Sequence, residues 1–81
     1  MDAQNVALGK RLKELRKKRG LSLQDVGNRI GKSRYTVRDY EDGVSGMGWS
    51  IYMELCFIYG VNADQLANEV KWEVSQSSKS A

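Results

Sequence analysis

The sequence predicts an all-α, compact five-helix domain over residues 1–74, with a short polar tail at 75–81. Three observations carry this. Apolar residues recur at spacings of three and four, small polar residues and glycines punctuate the chain at helix-length intervals, and the 81 residues contain no proline. An apolar fraction of 41% is globular rather than disordered. A chain this size forms one domain with one core, burying about 60–65% of the surface its unfolded form exposes.

Leu8, Leu12 and Leu15 give one buried stripe to a first helix over about residues 3–19. Lys17, Lys18 and Arg19 suit the negative end of its dipole, and Gly20 stops it. Ser22 and Asp25 form a capping-box variant that starts a second helix over 23–30, with Val26 and Ile30 facing inward. Gly27 lies between them, a small residue that admits a neighbouring backbone. Gly31 ends this helix, and Ser33 is a good N-cap two positions later, so a third helix through residue 42 must cross the second steeply. After the glycine-rich loop at 43–48 comes WSIYMELCFIYG. Its stripe of Trp49, Tyr52, Leu55, Cys56 and Tyr59 is joined by Ile51, Met53, Phe57 and Ile58 around the remaining circumference. A helix apolar all round is covered on more than one side, by a partner subunit or by a following segment. Asn62 and Asp64 cap a fifth helix through Val70, extended in apolar character by Trp72 and Val74. The serine-rich residues 75–81 read as a flexible tail or linker.

Net charge is +3, but residues 10–38 carry eleven basic side chains against Glu14 and Asp25, whereas residues 39–81 are net acidic. Such a division points to nucleic acid or another anionic surface, against the simpler alternative of a solvated helix face. Most enzyme chemistry is excluded. There is no histidine, and Cys56 is the only cysteine, which leaves no zinc-finger ligand set, no Ser-His or Cys-His pair and no internal disulfide. Cys56 itself, flanked by ELCFIY, reads as a core residue. No cofactor, metal or small-molecule ligand is expected. With no apolar run of membrane-spanning length and no secretory pattern at its start, the chain is expected in the cytoplasm.

Residues 23–42, LQDVGNRIGKSRYTVRDYED, together with Arg16 in LKELRKKRGLS and the run Glu41-Asp42-Gly43, resemble the Cro and phage-repressor (XRE-like) family of helix-turn-helix DNA-binding proteins. The resemblance covers roughly residues 8–70. It implies a lambda-repressor-like fold, a bacterial or phage-encoded regulator, and a structural ion pair between Arg16 and Glu41. Two departures stand out. Leu23 occupies the place where the family carries a glutamine that touches the DNA backbone, and the family's proline after the glycine loop is absent.

With Val37 and Tyr40 turned inward, the helical step leaves Ser33, Arg34, Tyr35, Arg38, Asp39 and Asp42 on the outer face of the third helix. The first five are the candidates for base contacts. Arg34 and Arg38 have the fork geometry for a bidentate pair with guanine, worth about 1–3 kcal/mol of discrimination. The plainer alternatives are an Arg38–Asp42 pair along the helix and packing of Tyr35 on Arg34. Phosphate contacts are expected from Gln24 at the start of the second helix, from Arg29 and Lys32, from Ser45, Met47 and Gly48 ahead of the fourth helix, and from Lys10 and Arg11. The function this implies is sequence-specific binding of double-stranded DNA by a transcriptional regulator, a repressor by the resemblance. A homodimer on a pseudo-palindromic operator is expected, with Ile51, Phe57, Ile58, Val61 and Trp72 as interface candidates. The alternative is a protein-interaction module, an antitoxin or adaptor, built on the same fold.

Overall fold

The computed structural model describes residues 2–79, with side chains to residue 76. Five helices follow in order: α1 (Ala3–Lys18), α2 (Leu23–Ile30), α3 (Arg34–Asp42), α4 (Trp49–Tyr59) and α5 (Ala63–Lys79). No strand occurs among the described residues. None of the helices is long and apolar enough to cross a membrane.

The helix boundaries follow from local chemistry. Asp2 caps α1 by accepting the Gln4 N–H at 2.7 Å, and Asn62 caps α5 by accepting the Gln65 N–H at 2.9 Å. At α2 the capping box is complete: the Asp25 N–H donates to the Ser22 hydroxyl at 3.0 Å, and the Ser22 N–H donates back to the Asp25 carboxylate at 2.9 Å. That backbone donor holds the exposed Asp25 carboxyl below its ordinary range. Between α2 and α3 the chain reverses through Gly31 in the left-handed region, φ 70°, and the Lys32 N–H closes onto the Gly27 carbonyl at 2.9 Å. Gly27 must be small for the same reason. A Cβ there would lie 2.5 Å from the Lys32 carbonyl oxygen, so the turn folds directly over α2.

Leu12, Val26, Val37 and Tyr59 are the largest fully buried side chains, and they draw α1, α2, α3 and α4 onto one core. Tyr52, Leu55, Cys56, Leu66 and Val70 extend it towards α5. Burial pushes the Cys56 thiol up, in keeping with an inert core cysteine.

Three expectations change. Trp49 is 59% exposed, outside the core stripe assigned to it, because it is the first residue of α4 and projects past the end of the packed interface. Its ring leans on Tyr52 with centroids 5.6 Å apart. Ile51 and Ile58 pack against the core from the flank of α4, as does Val61 just beyond it, so much of that helix's surplus apolar surface is covered within the chain. The third change is length. With no glycine or proline after Gly60 to stop it, α5 continues through the polar residues from Ser75 to Lys79, where a separate tail was expected. Residues 80 and 81 of that tail lie outside the described residues.

Gly9, which the periodicity of α1 does not single out, decides how closely α1 approaches α3. A Cβ at this position would fall on the backbone carbonyl oxygens of Tyr40 and Glu41. Gly9→Ala is expected to cost about 1–3 kcal/mol in urea unfolding, the range for forcing a methyl group into a packed seam. A second expectation concerns pH. Burial pushes the Tyr59 phenol from 10.0 up to about 12. The folded state therefore favours the neutral phenol, so its stabilising contribution is complete below the unfolded value and is lost as pH rises from about 10 to about 12. Urea midpoints measured across that window should fall, and Tyr59→Phe should make the fall shallower.

Candidate nucleic-acid interface

The position of α3 rests on Val37, Tyr40 and Glu41, all buried on one side of a nine-residue helix. Glu41 takes a two-pronged contact from Arg16 of α1: Nε donates at 2.7 Å and Nη2 at 3.1 Å. The third prong, Nη1, donates to the Leu21 carbonyl at 2.9 Å in the turn before α2. One guanidinium thus joins α1, the α1–α2 turn and the end of α3. Arg16 and Glu41 are 8% and 6% exposed, and the Glu41 hydrogen bonds hold the Arg16 guanidinium above its ordinary value. No buried side-chain nitrogen or oxygen among the described residues lacks a partner.

The opposite side of α3 is open. Arg34, Tyr35, Arg38 and Asp42 are exposed and Asp39 is half-buried. Arg34 Nη2 donates to the Tyr35 hydroxyl at 2.9 Å, and its guanidinium carbon stands 5.0 Å from the centre of the Tyr35 ring. The two form one stacked unit of cation and aromatic plate. Among the described residues no acid lies within ion-pair distance of Arg38, so the intrahelical pair with Asp42 does not form. Ser33 is turned back into the helix. Its hydroxyl accepts the Thr36 N–H at 3.2 Å and contacts the Thr36 hydroxyl, which makes it a cap first.

Of the residues expected at phosphates, Arg29, Lys32 and Lys10 are exposed, and Gln24 is exposed with its amide donating to Asn28 at 2.9 Å. Gly48 caps α4 with no side-chain acceptor, leaving the first-turn N–H groups of that helix open for an anion. Ser45 beside it is half-buried, as is Met47, which packs on the core. Leu23 also packs on the core, so the family's glutamine position serves α2 packing here. Arg11 departs from expectation. It reaches Glu69 and Glu73 of α5 at 2.6 Å each, and these hydrogen bonds hold it above its ordinary value and the Glu69 carboxyl below. It fastens α5 to α1 and is not a free cation. The sequence marks Glu69 and Glu73 only as an i,i+4 acidic pair, since their partner lies 58 and 62 residues away. Of the interface candidates, Phe57 and Trp72 are 86% and 65% exposed, whereas Ile51, Ile58 and Val61 belong to the core periphery.

A family model described as a helix-turn-helix domain matches residues 7–69. The chain belongs to this helix-turn-helix family. It is 51% identical over 47 residues to an HTH-type transcriptional regulatory protein, so named, from Methanospirillum hungatei, a match covering 58% of this chain and 14% of that protein. A similarly named protein from Pyrococcus abyssi is 36% identical over 74 residues, 88% of this chain and 23% of its own length. The chain therefore spans less than a quarter of the length of either curated relative. Among solved structures, the clp gene regulator ClgR from Corynebacterium glutamicum superposes with a TM-score of 0.84 at 16% identity, over 98% of this chain and 84% of that one. A second ClgR structure gives 0.77 at 18% identity, over 90% and 95%. At such identities the likeness is one of fold. Its all-helical architecture is the one described above.

Removing one member of the Arg16–Glu41 pair leaves the other charged and buried without a counter-ion. Glu41→Ala should therefore cost about 3–5 kcal/mol of unfolding free energy by urea titration. A much smaller loss would mean that Arg16 finds water without moving α3.

Proposed function

We propose that this helix-turn-helix domain binds double-stranded DNA sequence-specifically as a regulator of transcription, with α3 lying in the major groove. The observation that carries this reading is the outer face of α3, where Arg38 and the Arg34–Tyr35 unit face solvent free of acidic partners. An α-helix fits a groove about 12 Å wide, and a guanidinium there meets guanine O6 and N7 with two parallel bonds. Arg29, Lys32 and the open N-terminus of α4 would hold the backbone on either side, fixing register without reading sequence. Repression follows if the occupied site overlaps one that the transcription machinery needs. A protein of this kind works in the cytoplasm, where the chromosome is accessible.

Two copies related by a two-fold axis would set their recognition helices about 34 Å apart on a pseudo-palindromic site. The exposed aromatic rings of Phe57 and Trp72 are the anchors we infer for such a pair, since large aromatic groups dominate interface energetics. Sedimentation at high micromolar concentration, with and without a selected duplex, tests this. A monomer under both conditions rules the pairing out.

Selection of bound sites from a random duplex pool, repeated with Arg34→Ala and Arg38→Ala, tests the groove assignment. Each change is expected to cost about 1–3 kcal/mol on the preferred site and to relax one base position. Unchanged preferences in both variants would refute the assignment. A flat dependence of wild-type affinity on salt would favour a protein partner over DNA.

A further inference from the structure

The seam between α1 and α3 is flanked by basic residues of both helices. Along it, Gly9 rests on the carbonyls of Tyr40 and Glu41, Arg16 grips Glu41, and Val6 backs onto Gly43, where a Cβ would lie 2.6 Å from the Val6 Cα. On each helix the core lies to one side of this seam, with Leu12 on α1 and Val37 and Tyr40 on α3. The remaining sides of the two helices therefore share one outer surface.

Turning about α1 from the Gly9 line away from the core, at about 100° per residue, Lys13 comes after about 40°, Lys17 after about 80° and Lys10 after about 100°. On α3 the same construction from Glu41 meets Arg34 after about 20° and Arg38 after about 60°. All five are exposed, and among the described residues none is in an ion pair. Asp42 is the acidic group at the α3 end of this surface, and Glu14 lies farther round α1. Lys10 to Lys17 spans about 10 Å of helix, a length over which one DNA strand presents about three phosphates at about 3.4 Å of duplex axis each.

We propose that Lys13 and Lys17, together with Lys10, form a phosphate-binding row on α1 that grips the DNA backbone beside the groove entered by α3. This rests on the DNA-binding reading and assigns α1 a role in it. The row contributes affinity and salt dependence but no base preference, because ammonium groups on phosphates carry no sequence information.

The test compares the full chain with two double variants that remove the same charge: Lys13→Ala/Lys17→Ala from the row, and Lys18→Ala/Lys71→Ala from elsewhere. Slopes of log affinity against log salt are measured on a selected duplex and on an unrelated one. The row variant should flatten the slope by about two units, at about 0.9 per phosphate contact, equally on both duplexes. The control should change it far less, and site selection with the row variant should return the wild-type sequence. Equal slopes for the two doubles, or an altered preferred sequence in the row variant, would overturn the proposal while leaving DNA binding intact. A wild-type chain that binds neither duplex at low salt would overturn the DNA reading and this one with it.

Discussion

The buried contact between Arg16 and Glu41 governs the arrangement of this domain. A desolvated pair of this kind adds little net stability, because the loss of hydration offsets most of the attraction, yet separating the partners is expensive. It therefore acts as a lock. Any displacement of α3 that parts the carboxylate from the guanidinium leaves two buried charges unmet, and the third prong of Arg16 on the Leu21 carbonyl ties the same penalty to the turn before α2. Gly9 makes the geometry reachable by letting the α1 backbone sit directly on the end of α3.

The same pairing sorts the charge of the molecule. The basic first half and acidic second half are partly cross-linked by folding, with Arg16 taking Glu41 and Arg11 taking Glu69 and Glu73. Three acids are thereby drawn into internal contacts by only two arginines. Of the remaining nine basic groups of residues 10–38, Arg19 donates to the Tyr59 carbonyl at 3.1 Å and the other eight are exposed without an ion-pair partner among the described residues. A modest net charge of +3 thus conceals a much larger excess of exposed basic groups in the first half of the chain.

Much of the candidate site is legible in the sequence because its determinants are local. The capping box of α2, the left-handed glycine after it and the Ser33 cap each operate within four residues, so they set where α3 begins and which residues share its outer face. Arg34 over Tyr35 is likewise a neighbour contact. The engagement of Arg11 is illegible in the sequence for the converse reason: nothing within its own helix distinguishes it from Lys10, and its carboxylate partners arrive from the other end of the chain.

The sequence alone settled the helical class, the order of the helices, the stops between them and the inward pair Val37 and Tyr40, since periodicity and capping are properties of short segments. Tertiary structure decided which charges are engaged and which are free, that Gly9 is a contact point, that Ile51, Ile58 and Val61 pack against this chain's own core, and that Trp49 stands outside it. Those outcomes depend on which helix faces meet across the globule, and meeting is a matter of distance in space that spacing along the chain does not encode.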